Sequence, residues 1–262
     1  MRIATWNVNS VRARAERIGA WLDRSDVDVL AIQELKCKEE QFPYDLFTER
    51  GYEVTMSGFN QWNGVAIASR IGLEGSSPLA DMPTFGDAEY PEARDLSARC
   101  GGVHVFSLYV PNGRELGHPH YEYKMAWLEQ LKNTAEAILT ENPEAQVVLC
   151  GDFNIAPHDE DVWDMEVFAG ATHVSARERE AFQALLNVGF SDAARPYTPG
   201  PGIYTYWDYQ QLRFPKRQGM RIDFQLTSPA LTTQVCNAWV DREERKGKGA
   251  SDHAPVVVEY TD

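Results

Sequence analysis

Asp152 and Asn154 stand two residues apart, directly after an apolar run, Val147-Val148-Leu149-Cys150, and a glycine, Gly151. Four apolar residues are too few for a helix and suit a strand buried on both faces. Gly151 can take backbone angles that other residues avoid. If the strand continues through Asn154, the carboxylate and the carboxamide share one side of it. Such a pair suits a water that must lose a proton and a negative charge that must be met. The bland alternative is a strand end closed by an Asx turn.

Polar residues recur at the ends of other apolar runs: Asn7, Glu34, Tyr109, Asp223, and the run Ser251-Asp252-His253-Ala254-Pro255. Carboxylates and amides with one histidine and no thiolate cluster favour a hard, oxygen-loving cation such as Mg²⁺. Asp223 within reach of His253 would orient the imidazole and hold it charged.

The elements that must carry these groups follow from periodicity. Ile3 to Val8 alternates as a strand, and Ser10 is positioned to cap a helix with Val11, Ala15, Ile18 and Leu22 on one face. Asp28 to Ile32 reads as a second buried strand, leading into Gln33 and Glu34. Tyr52 to Gly58 and Gly64 to Arg70 form a hairpin pattern, and Val103 to Val110 delivers Tyr109. Tyr121 to Thr140 has helical spacing, and Ser175 with Glu178 makes a capping box for a helix through Phe182 and Leu186. Tyr204 to Tyr209, Met220 to Leu226, Val235 to Val240 and Pro255 to Tyr260 read as further strands. The scheme strand, helix, strand recurs in each half. It predicts an α/β (α+β) fold, a four-layer sandwich of two packed, mainly antiparallel β-sheets flanked by helices.

With 262 residues the chain can bury a full core, and no linker divides it, so one domain spanning 1–262 is expected. Cys37, Cys100, Cys150 and Cys236 form no CxxC pair, which argues against zinc. Cys150 and Cys236 lie in apolar runs and are expected to be buried free thiols. The first residues lack a signal-peptide core, and no apolar run nears the ~20 residues that span a bilayer. A cytoplasmic location without membrane contact is therefore expected. The formal charge of −14 argues against bulk electrostatic binding of nucleic acid. Positive charge is local: from Thr205 to His253 eight arginines and lysines outnumber six acids.

The chain resembles the exonuclease III family of AP endonucleases, within the Mg²⁺-dependent endonuclease/exonuclease/phosphatase fold. The matching stretches are Thr5–Arg14, Ala31–Lys36, Tyr109–Gly113, Gly151–Ile155, Arg221–Asp223 and Ser251–Pro255, in the family's order and nearly end to end. Trp62 to Val65 and Tyr204 to Tyr209 point to the DNA-repair branch. The resemblance implies that Glu34 binds the metal, with Asn7 adjoining and Asp252 a further ligand. Asp152 would activate the attacking water or protonate the leaving group, and Asn154 would hold the nucleophile or the pentacovalent centre. His253, paired with Asp223, would contact the scissile phosphate, and Tyr109 the phosphate or the leaving oxygen. A second metal would draw on Asp152, Asn154 and His253. An extruded abasic sugar would sit among Tyr206, Met220 and Ile222, with Asn112, Arg114 and Trp207 also on the DNA. Arg12, Arg14, Arg213, Lys216, Arg217 and Arg242 to Lys248 would track phosphates.

The implied enzyme is a Mg²⁺-dependent hydrolase, with Mn²⁺ as substitute, that cuts 5′ to abasic sites, trims 3′ ends and degrades 3′ to 5′. It would work as a monomer on double-stranded DNA and associate with the nucleoid. A phosphomonoesterase of the same fold would want a basic pocket, whereas the slot formed by Tyr206 and Met220 is apolar. A non-catalytic DNA-binding module would have lost a reactive group, yet Glu34, Asp152, Asn154, Asp223 and His253 are all present.

Overall fold

The computed structural model describes residues 1–86 and 92–261. Its first sheet begins with β1 (Arg2–Asn7), β2 (Val29–Gln33), β3 (Glu53–Ser57) and β4 (Val65–Ser69). The second holds β5 (Glu74–Ser77), β6 (Asp95–Cys100), β7 (Val103–Tyr109), β8 (Val147–Asp152), β9 (Ser191–Asp192) and β10 (Asp223–Thr227). The chain then returns to the first sheet as β11 (Val235–Val240) and β12 (Val256–Tyr260). The helices are α1 (Ala15–Ser25), α2 (Tyr44–Thr48), α3 (Pro119–Glu141), α4 (Met165–Phe168), α5 (Ala176–Val188) and α6 (Pro229–Thr232).

The strand orders are β11-β12-β1-β2-β4-β3 and β5-β6-β7-β8-β10-β9. Each sheet contains one parallel pair, β1 with β2 and β7 with β8, joined through α1 and α3 respectively. The other pairings are antiparallel. Alternation along the strands builds the layers. Ile3, Val29, Ala31, Val105, Val148 and Cys150 pack in one cluster between the sheets. Their neighbours Ala4, Trp6, Leu30 and Ile32 meet Trp21 and Leu22 of α1 on one outer face. Phe106, Leu149 and Phe224 meet Trp127 and Leu128 of α3 and Phe182 of α5 on the other. The result is the expected four-layer sandwich. No described helix is long and apolar enough to cross a membrane.

Several local expectations fail for physical reasons. Ser10 does not cap α1: its φ is 87°, its Oγ accepts from the Ala13 N–H at 3.3 Å within a turn over residues 11–14, and α1 starts after Arg14 without a side-chain cap. Residues 204–209 make no strand, because Tyr206 bridges Met220 on one side and His253 on the other as isolated contacts. β10 accordingly starts at Asp223. Cys150 is buried, but Cys236 is exposed because β11 is an edge strand with a bulge between Val235 and Asn237. β6 is a further strand beyond those expected, and Leu96, Ala98 and Cys100 alternate in it with Asp95, Ser97 and Arg99.

Register does the placing. Asp152 at the end of β8 lies opposite Tyr109 of β7 and opposite Asp223 of β10. In the other sheet Asn7 ends β1 opposite Gln33, one residue before Glu34. Gly151 makes the close approach of β7 and β8 work: a methyl group there would lie 1.9 Å from the Leu108 carbonyl oxygen. Gly151→Ala should therefore cost about 3 kcal/mol or more, since the clash is with backbone that cannot step aside. Denaturant unfolding checks this; a midpoint equal to that of the native chain would refute the packing argument.

Candidate active site

The facing ends of the two sheets meet at one buried amide. Asn7, fully buried, donates from Nδ2 to Glu34 Oε2 at 2.9 Å and to Asp152 Oδ2 at 3.0 Å. Its Oδ1 accepts from the Asn9 backbone N–H at 3.0 Å, which fixes the carboxamide's orientation. Glu34, just past β2, has φ of 60°, so the chain turns sharply and aims the carboxylate at the sheet ends. Lys36 Nζ lies 2.9 Å from Glu34 Oε1 and donates to Asn9 Oδ1 at 2.6 Å. Asn9 Nδ2 in turn donates to Asp252 Oδ1 at 3.1 Å.

Asp152 is the centre of this set. Its Oδ1 accepts from the Asn154 N–H at 2.9 Å, and the αL backbone of Asn154 (φ 50°) completes an Asx turn. β8 therefore stops at Asp152, and the shared strand face foreseen for Asp152 and Asn154 does not form. The turn nevertheless sends both side chains to the same cavity. Burial pushes the Asp152 carboxyl up to about 7, and Asp223 adds to this. His253 and the donors Asn154 and Asn7 pull the other way.

His253 is held between two acids. Its Nδ1 hydrogen-bonds to Asp223 Oδ2 at 2.8 Å, and its Nε2 lies 3.7 Å from Asp152 Oδ2. Burial opposes a charged imidazole, but Asp223 and Asp152 outweigh it and raise the pKa to about 10. The ring thus carries its proton at neutral pH, facing Asp152. Thr205 Oγ1 donates to the same Asp223 oxygen at 2.6 Å and fixes that carboxylate. The Tyr206 ring packs on the imidazole with centroids 4.9 Å apart. Tyr109 is kept a neutral phenol: burial and then Glu34 raise its pKa well above the usual value, against the pull of Arg94 beneath the ring.

A cavity of about 420 Å³ opens over these groups. One wall is Glu34, Tyr109, Asp152, Asn154, Asp252 and His253; the other is largely apolar, with Trp163, Phe168, Tyr206, Met220 and Ile222. Asn112 also lines it, while Arg114 lies next door with its guanidinium 5.5 Å from the Phe85 ring. Trp207 does not reach the cavity. It is 1% exposed and packs with Tyr204 and Ala254. Arg245 is also buried and donates to the Trp207 carbonyl, whereas Lys246 and Lys248 of the same basic run are exposed. His173, which no spacing signal marks, lines the cavity with Nε2 3.0 Å from Asn154 Oδ1. Burial, with Lys124 nearby, lowers its pKa and leaves it neutral.

The donor set fits a hard divalent cation. Glu34, Asp152 and Asp252 offer carboxylate oxygens to one cavity, Asn7 adjoins, and Lys36 is the cation ion-paired to Glu34. Asp152, Asp223 and His253 also place three ligand atoms within 4.8 Å of one another. Within that trio His253 Nδ1 and Asp223 Oδ2 already share a hydrogen bond, and Thr205 Oγ1 donates to the same oxygen.

A profile of the Endonuclease/Exonuclease/phosphatase family matches residues 4–253. The exodeoxyribonuclease of Bacillus subtilis is 30% identical, over 98% of each chain. A 3′ phosphatase from Neisseria, solved with a product DNA hairpin, superposes with a TM-score of 0.93 at 36% identity, covering 100% of this chain and 99% of its own. An AP endonuclease from Archaeoglobus fulgidus gives 0.92 at 32% identity, with both chains covered completely.

Removing the shared amide should expose the repulsion it masks. Asn7→Ala should lose about 1–3 kcal/mol, because two acceptors lose their donor. Millimolar Mg²⁺ should restore more stability to this variant than to the native chain in thermal melts. An equal metal effect on both would count against a cation between the two carboxylates.

Proposed function

This chain belongs to the endonuclease/exonuclease/phosphatase family, in the exonuclease III branch, and on that premise we propose its activity in detail. It is a DNA-repair nuclease with 3′-end activities. It removes blocking groups and nucleotides from 3′ ends and hydrolyses the phosphodiester 5′ to abasic sites in duplex DNA, using Mg²⁺. The observation that carries this reading is the single Asn7 amide holding Glu34 and Asp152 together, with His253 facing Asp152.

Hydrolysing a phosphate ester needs an in-line water, neutralisation of the non-bridging oxygens and help for the departing oxygen. Mg²⁺ held by Glu34, with Asp252 and Asp152 in support and Asn7 adjoining to orient the two carboxylates, would neutralise charge on the phosphate. Asp152, its pKa raised towards neutrality by burial, takes the proton from the attacking water. His253, charged and anchored by Asp223, donates from Nε2 to a phosphoryl oxygen. Asn154 donates one N–H to the Val110 carbonyl at 2.9 Å, which leaves its second N–H for the pentacovalent centre. Tyr109, a neutral phenol, donates to the departing oxygen. The apolar wall of Tyr206, Met220 and Ile222 receives the sugar, and extrusion is cheapest where no base is stacked. Arg12, Arg14, Arg114, Arg213, Lys216 and Arg217, with Lys246 and Lys248, contact phosphates. The two sheets work as one domain, as a monomer in the cytoplasm.

Two duplex oligonucleotides test this, one with a single abasic analogue and one with a 3′-phosphate. Both should be processed with Mg²⁺, lose turnover in EDTA and regain it on adding Mg²⁺ back; failure on both would reject the assignment. Asp152→Asn and His253→Ala should each lower kcat by about 100-fold or more while DNA affinity survives. Full activity in either would remove that residue from the mechanism. Binding should weaken steeply with salt despite the net negative charge, and a flat salt dependence would contradict the phosphate track.

A further inference from the structure

Behind the cavity, a buried ion pair connects three loops that each deliver a side chain to it. Lys124 of α3 and Glu178 of α5 have fully buried side chains, with Nζ 2.5 Å from Oε1. The ammonium also donates to the Asn154 carbonyl at 2.7 Å and the Asn112 carbonyl at 3.2 Å. Glu178 Oε1 accepts the His173 N–H at 2.9 Å and Thr172 Oγ1 at 2.6 Å, while Oε2 accepts from Ser175. Lys124 therefore meets three acceptors with its three N–H groups.

The three loops converge at their side chains as well. Asn154 Oδ1 lies 3.3 Å from Asn112 Nδ2 and 3.0 Å from His173 Nε2. Asn154 sits in the αL region, a conformation that needs external support to be the single one populated. Lys124 supplies that support at the Asn154 carbonyl itself. The Asn112 loop lies flat on the same group: a methyl on Gly113 would meet Thr172 Oγ1 at 2.8 Å and the Lys124 stem at 3.2 Å.

We propose that Lys124, through its ion pair with Glu178, is a positioning residue for phosphate hydrolysis, fixing the Asn154 and Asn112 carboxamides and His173 in one reactive arrangement. It touches no substrate and acts only through those backbone carbonyls and Glu178. A buried ion pair is weak evidence for stability, since neutral replacements of both partners are often tolerated. The geometry here instead favours specificity of arrangement: one ammonium satisfies acceptors from elements far apart in sequence. This proposal rests on the nuclease reading above.

The double variant Lys124→Met/Glu178→Gln removes both charges and keeps one side-chain oxygen to accept from the His173 N–H and the Thr172 hydroxyl, while the oxygen facing Ser175 becomes an NH₂. Its kcat on the 3′-phosphate duplex should fall by about 100-fold, the scale of small misplacements at a reacting centre, with Kd for that duplex within about threefold. Circular dichroism and a thermal melt verify folding; should the double variant not fold, Lys124→Gln is read by the same criteria. A folded variant with kcat within about threefold of native would overturn the proposal, as would a loss confined to KM. Absence of turnover in the native chain would instead overturn the nuclease reading.

Discussion

Like charges repel, and several acids of this protein face one another at the rim of a dry core. Two unit charges about 4 Å apart cost about 4 kcal/mol at an effective dielectric of about 20. The structure meets that cost first with one carboxamide: Asn7 gives a hydrogen bond to each of two carboxylates from opposite sheets. Because Asn7 is at the end of β1 and Asp152 at the end of β8, the same contact joins the two sheets at the site. Glu34 and Asp152, which both line the cavity, are oriented at this junction.

Around it, charge is balanced locally in layers. Lys36 meets Glu34 on the open side, and His253 sits between Asp152 and Asp223 on the closed side. Lys124 and Glu178 neutralise each other behind the loops. The acidity that remains is aimed into the cavity, where a divalent cation and the phosphate would complete the balance. The net charge of −14 belongs to the whole chain, and the acids at the site are the part of it that would hold a cation.

Much of the site was legible in the sequence because it lies at strand ends. Apolar runs bounded by Asn7, Glu34, Tyr109 and Asp152 state both where a strand stops and what it delivers. His253 and Asp223 were legible as a pair through their motifs. Four features were not. The Asx turn at Asp152 and a catalytic role exclude each other in the sequence pattern but not in space, since one oxygen closes the turn and the other faces Asn7 and His253. The segment 204–209 looks like a strand by composition, but its partners are single residues of two different loops. Trp207 and Arg245 look like ligand-binding residues, yet they satisfy each other's surroundings in the interior. His173 and Lys124 depend on contacts between distant loops, which no local spacing records.

The central claim is that Glu34 and Asp152 face one cation across the Asn7 amide. Anomalous diffraction from crystals soaked in Mn²⁺ addresses it directly. A peak within about 2.5 Å of a Glu34 carboxylate oxygen, inside the cavity that Asp152 lines, is the predicted result. A well-occupied peak elsewhere, with none at Glu34, would contradict the account.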